Sequence, residues 1–530
     1  MLRRRNKGAS RTVIRMVLLL LLSAVPASAQ ELRIGVAALA TSADPQFYNL
    51  AANNALAAHV FGRLTQRAAD SSLQPDLAVS WTPVSDTAWE FKLRPGVFWH
   101  DGTPFTADDV AFSFARAPTV PNSPSSFAGM LRPVTRTEVV DPLTIRLHTA
   151  APAPNLPGDL AIVSIVSPHG AADTAAFDAN RGAIGTGPYK LDSLIRGDRA
   201  VLVRNDAWWG GRPAWSRVTI RLIANGAART AALLAGDVDA IDTIPTSDLA
   251  GLRADKRVAV WDAQGLRVMY LATDFTRSGP SPDITDKDGK PLPANPLRDL
   301  RVRQALSLAL DRAGLVGRTM EGAAFPTAQW LIPGLPGYLP DHPVPAADLP
   351  AARRLLAEAG FPDGFRMVLR APTDRYPNGP AVAQAVAAMW TRIGVAVTLE
   401  MLPGAIYSPR GVKHEFAAGL WSWSNGTAEA GYALVNVLGT QDGASRGVSN
   451  VNGYGNPRLD ALTAEALATL DPEKRAALLR DATALAVDDL ACITLFHLRN
   501  AWATRTGLRF AARSDDLTLA ESVSEGQPPR

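Results

Sequence analysis

Residues 379–401, GPAVAQAVAAMWTRIGVAVTLEM, decide the fold class. The first half predicts a helix from Ala381 to Ile393, and Gly394 stops it. Immediately afterwards Val395, Val397, Leu399 and Met401 alternate with Ala396, Thr398 and Glu400, which is the period of a half-buried strand. The same exchange recurs upstream. Val218 to Ile223 reads as a strand, and Asn225 caps a helix through Arg229 and Leu234 that ends at Gly236. Val238, Ala240 and Ile241 then begin another strand. Strands and helices alternate through most of the chain, so the class is α/β.

Working outward, Leu32 to Leu39 reads as an N-terminal strand, and Trp89, Phe91 and Leu93 alternate with Glu90, Lys92 and Arg94. Pro95-Gly96 turns the chain into a second short strand, Val97 to Trp99. Thr106-Ala107-Asp108-Asp109 fits a capping box that opens a helix to Arg116. Residues 118–126 and 279–296 read as loops, the second long and exposed. Asp299 to Ala313 predicts a helix with Val302, Ala305, Leu306, Ala309 and Leu310 on one face, and Pro350 to Ala359 predicts another. The last helical region starts at Asn456-Pro457, breaks at Asp471-Pro472 and ends near Val487. No repeat of fixed period is visible.

At 530 residues the chain has room for about three or four domain-sized units. Its N-terminus reads as a secretory signal: a basic segment, an apolar run from Met16 to Leu22, then Ala27-Ser28-Ala29, with cleavage expected after about Ala29. The run is too short for a membrane anchor, and no cysteine at the cleavage site offers a lipid attachment. The first 29 residues hold six of the 54 basic residues and no acid. The remainder carries 48 basic against 50 acidic residues, which removes the nucleic-acid binding that a pI near 9.2 suggests. Cys492, the only cysteine, lies in an apolar run and reads as buried. The expected location is the periplasm.

Several motifs fail on their context. Gly443-Ala444-Ser445-Arg446-Gly447 matches a nucleophile elbow, but both flanks are loop-like, whereas the elbow needs strand, turn and helix. His100-Asp101-Gly102 is turn chemistry rather than a metal site, and the seven histidines show no metal-ligand spacing. Gly185-Thr186-Gly187-Pro188-Tyr189 begins like a dinucleotide loop but lacks the third glycine and a following helix. No cofactor is expected. Trp421-Ser422-Trp423-Ser424-Asn425 suits a wet ligand cleft as well as it suits core packing.

Together the segments resemble the family 5 extracellular solute-binding proteins, the peptide/nickel-type receptors of ABC importers. The resemblance spans nearly the whole chain after the signal. It includes Pro75-Asp76-Leu77-Ala78-Val79-Ser80-Trp81, then Phe91 through Pro104 with Thr106-Ala107-Asp108-Asp109-Val110. Gly185 to Tyr189, Arg204-Asn205, Trp208-Trp209, Leu233 through Asp239, Asp299 through Ala305, Ala309 through Arg312 and Leu355 through Gly360 follow in register.

The resemblance implies a type II periplasmic-binding-protein-like bilobed fold with an extra inserted domain. Domain I would combine residues 30–46, 183–267 and 495–530, domain II would be 47–182, and domain III 268–494. It also implies a non-enzymatic monomer that encloses a peptide-like solute and delivers it to an ABC permease with its ATPase subunits. In peptide-binding relatives an aspartate three residues after a cleft tryptophan pairs with the peptide's α-amino group. Here Ser424 occupies that place after Trp421, and Glu429 is the nearest acid beyond it. A buried ammonium needs a carboxylate partner, so either another acid serves or the ligand is an opine, an oligosaccharide or a modified amino acid. A secreted serine hydrolase using Ser445 is the alternative from another class. The expected ligand contacts are Trp421, Trp423, Ser424, Asn425, Thr427 and Glu429. Tyr48, Tyr270, Arg370, Tyr376, Tyr407 and Arg410 are further candidates from position and residue type.

Overall fold

The structure, a computed structural model, describes residues 30–171, 176, 177, 179 and 181–526. The proposed signal, residues 1–29, lies outside the described residues. The αβ unit read from 379–401 forms as a helix, Gly379–Thr391, and a strand, Val395–Leu402. Val382, Ala383, Val386 and Trp390 form the buried helix face, which packs on the parallel strand pair Phe365–Pro372 and Val395–Leu402. Asn225 accepts a hydrogen bond from the Ala228 N–H and starts the helix Gly226–Ala235, which Gly236 ends in the left-handed conformation. The Thr106 capping box is made from both sides.

Twelve strands form one sheet. At one end Glu31–Val36 runs parallel to Arg217–Leu222 and Ala240–Ile241. At the other end lie Phe365–Pro372, Val395–Leu402 and Ala418–Ser424. Two long antiparallel strands, Val258–Thr273 and Ile493–Arg505, run through both ends and join them. Their register slips between Gln264 and Val268, which pair with Arg499 and His497. The extra residues bulge beside Gly265. A Cβ there would lie 2.8 Å from the Leu498 carbonyl oxygen and 2.7 Å from Asn500 Oδ1.

The cores are separate. One cluster gathers residues from Leu32 to Phe61 with others from 166–220 and 502–523. Two more draw only on residues 266–496. A fourth, from Leu64 to Ile165, lies against a four-stranded antiparallel sheet ordered Ala78–Ser85, Ala88–Leu93, Thr144–Thr149, Val134–Asp141. Trp89, Phe91 and Leu93 are its inward side chains, as their alternation requires.

Some expectations need correction. Val97 to Trp99 is not a strand. Only Phe98 makes a single bridge, to Pro104, because Asp101 turns the chain by accepting the Thr103 N–H and hydroxyl. The 279–296 segment is not wholly exposed: Ile284–Thr285 pairs with the strand Phe365–Pro372, and Ile284 is buried. The 299–313 helix ends at Leu308, although all five predicted core residues are buried.

Candidate ligand-binding cleft

A cleft of about 840 Å³ opens between the body built on Glu31–Val36 and the body built on Ala418–Ser424. The strand bulge forms its floor, contributing Leu266, Arg267, Leu498 and Asn500. The first body supplies Arg63 and Arg67 after the helix Ala51–Val60, Asp159 at the end of the short helix Leu156–Asp159, and Trp208-Trp209. The C-terminal segment adds Arg513 to Leu517, Leu519, Glu521 and Ser522. The second body supplies Ser424, Gly426, Thr427 and Tyr432.

Backbone crossings hold the first body's part in place. Gly185 has no room for a Cβ, which would lie 1.7 Å from the Val60 carbonyl oxygen, so this glycine loop is a chain crossing rather than a phosphate cradle. His100 pins the same loop: its Nδ1 accepts the Gly185 N–H at 3.2 Å and its Nε2–H donates to the Gly187 carbonyl at 3.1 Å. Burial holds the His100 imidazole down at about 4, so it stays neutral and keeps one nitrogen as acceptor and one as donor to this loop. His59, also held at about 4 by burial, donates from Nδ1 to the Ala55 carbonyl and accepts the Ala520 N–H at Nε2, 2.8 Å away. That bond ties the C-terminal turn to the helix beside the cleft.

The lining carries charges of both signs: Arg63, Arg67, Arg267 and Arg513 against Asp76, Asp159, Asp515, Asp516 and Glu521. Only Arg513 and Asp515 form an ion pair among them, at 2.6 Å. Arg67 reaches across to the second body and donates to the Thr427 carbonyl at 2.6 Å. Asp159 accepts from Asn155 Nδ2, and burial raises its carboxyl to about 7, with the Glu429 charge adding to the rise. Among the described residues Thr427 Oγ1 and Arg63 Nε have no hydrogen-bond partner. Unpaired groups of opposite sign around a cavity of this size suit a small solute that carries both charges.

Of the residues singled out in the sequence, Ser424 and Thr427 line the cleft. The others lie elsewhere. Trp421 is 8% exposed in a core cluster with Tyr407, whose hydroxyl donates to the Leu420 carbonyl. Trp423 packs against Tyr432, and Asn425 is buried, donating to the Trp330 carbonyl. Glu429 is buried against Arg475 at 2.6 Å. Tyr270 packs against Trp330 with the rings tilted by 52°, and Tyr48 bridges to Ser125. Tyr376 packs partly buried against a core cluster of the second body. Arg370 is bound by Asp283 and Glu400, while Arg410 is bound by Glu400 and Glu415, a network away from the cleft.

Sequence reading missed Arg63, Asp159, Asp516 and Glu521, because each sits in a loop or short turn with no motif around it. A local signal existed for Trp208-Trp209, Asp76 and the Thr186-Gly187-Pro188 loop, as parts of the family pattern. Ser445 is exposed on a turn where Asp442 accepts the N–H groups of residues 444–446, not on an elbow. Among the described residues no His, Cys, Asp and Glu side chains converge as metal ligands, and no helix is long and apolar enough to cross a membrane.

Two bodies sharing long strands around a charged cleft define the bilobed class of solute-binding proteins. The chain matches the profile of the bacterial extracellular solute-binding proteins, family 5 Middle, over residues 72–445, and it belongs to that family. The family is one of periplasmic receptors that bind solutes rather than transform them and work with ABC permeases. Heme-binding protein A of Haemophilus influenzae is 29% identical over 488 residues, which cover 84% of this chain and 82% of that protein. The Dipeptide-binding protein of Escherichia coli is 27% identical over 454 residues, 80% of each chain. The solved structure of HbpA2 from Haemophilus parasuis superposes with a TM-score of 0.81 at 25% identity, covering 94% of this chain and all of that one.

Proposed function

We propose that this chain is exported by a signal cleaved after about Ala29 and acts in the periplasm as a monomeric, unanchored receptor for a peptide or peptide-like solute. It hands the solute to an ABC permease and its ATPase subunits. The observation that carries the ligand class is the cleft's mixed and mostly unpaired charge, because a zwitterion satisfies both signs without importing a counter-ion. Ser424 and Thr427 contact the ligand from the second body. We divide the chain into three units, residues 30–46 with 183–267 and 495–530, residues 47–182, and residues 268–494. The clusters from Leu64 to Ile165 and within 266–496 support the last two, while the cluster containing Leu32 also takes in Leu56, Val60 and Phe61 from the second.

A thermal-shift screen after unfolding and refolding tests this. Its panel pairs free and N-acetylated di- to pentapeptides with opines, oligosaccharides and nickel chelates. A peptide at 100 times its dissociation constant adds about 2.7 kcal/mol of stability. A shift with free peptides is expected. Silence from every peptide with a shift from another class would replace the peptide reading with that class.

A further inference from the structure

Arg63 is 8% exposed and lines the cleft, yet no carboxylate bonds its guanidinium. Its Nε is unpartnered, and among the described residues its side chain makes one hydrogen bond, from an Nη to the Asn54 carbonyl at 3.2 Å. Asp76 is close, but it accepts the Arg63 backbone N–H at 2.9 Å, not the guanidinium. A buried cation with most of its donors idle is costly unless an anion arrives to use them.

Glu521 lines the same cavity from the turn Ala520–Ser522 and makes no ion pair among the described residues. The two are held at fixed stations. The Ala520 N–H bonds His59, four residues before Arg63, and Arg513 donates to the Arg67 carbonyl at 2.8 Å. They do not bond each other, and burial raises the Glu521 carboxyl to about 8, so before a solute arrives it keeps its proton near neutral pH and ionises against an arriving ammonium. On the opposite wall Glu429 is neutralised by Arg475, Ser424, Thr427 and Tyr432 bring no charge, and the cation of the floor, Arg267, donates to Ser422 Oγ at 3.2 Å.

We propose that the first body alone recognises both charges of the solute, Arg63 holding its carboxylate and Glu521 its ammonium. The second body then closes over an already oriented zwitterion with neutral groups. This rests on the peptide-like reading above and assigns its charge selection to two residues.

The test is isothermal titration of the refolded full chain with alanyl-leucine, N-acetyl-alanyl-leucine and alanyl-leucine amide. The wild-type chain is expected to lose about tenfold or more in affinity for each blocked form, the scale of one charge-assisted hydrogen bond. Arg63→Gln should bind the free dipeptide and the amide alike, and Glu521→Gln the free and acetylated forms alike. If the wild-type chain binds none of the three, the peptide reading falls and this inference with it. If it binds and Arg63→Gln still separates acid from amide, only the inference falls. Should circular dichroism show Arg63→Gln unfolded, Glu521→Gln decides, and retained discrimination against the acetylated form overturns the proposal.

Discussion

Glu429 shows how a single residue changes meaning between sequence and structure. As the nearest acid after Trp421 it reads as a replacement amine anchor, but Arg475 claims it, with side-chain exposures of 5% and 10% for the pair. Glu429→Gln therefore leaves a buried guanidinium without its counter-charge. The cost should be roughly 3 kcal/mol, the usual range for breaking such a pair, read from urea unfolding midpoints. His59 makes a second prediction. Its folded value near 4 lies below the ordinary imidazole value because burial penalises the charged ring, with the Arg63 charge adding to the drop. The unfolded chain then binds the proton first, so this contribution is complete above about pH 6.5 and is lost as pH falls toward 4. The full shift corresponds to on the order of 3 kcal/mol. The stability gap between wild-type chain and His59→Gln should narrow across that window in pH-dependent unfolding; a constant gap would show that the histidine does not titrate there.

At the scale of elements, the two long strands do more than join the bodies. Their bulge turns Leu266 and Arg267 into the cleft, and Gly265 makes the bulge compact enough to form. Gly265→Ala should cost roughly 1–3 kcal/mol as an overpacked site and should also weaken solute binding, since it displaces the cleft floor. Unchanged melting and affinity would mean the strands tolerate a wider bulge. Helices and capped ends were legible here: the Asn225 cap, the Thr106 box and the Gly236 stop are local chemistry within one turn. The bulge was not legible, because Gly265 looks ordinary until Asn500 and Leu498 are placed beside it.

At the scale of the whole molecule, the bodies touch across the cleft through contacts such as Arg67 to the Thr427 carbonyl, while each keeps its own core. Such bodies move as units about shared strands. Small-angle scattering with a saturating peptide should show the radius of gyration falling toward about 24 Å, the value for a compact chain of this length. An identical value with and without the peptide would mean capture without closure.

The sequence by itself determined what depends on neighbours a few residues apart: the α/β class, the caps and stops, the inward face of the helix after Asp299, and the motif order of the family. Periodicity and capping act within a turn or two, so they survive in one dimension. The tertiary structure decided which charges meet. Arg475 reaches Glu429 across 46 positions, and Ala520 reaches His59 across 461. A charge is free for a ligand only if no partner arrives from elsewhere, and that depends on how distant segments cross.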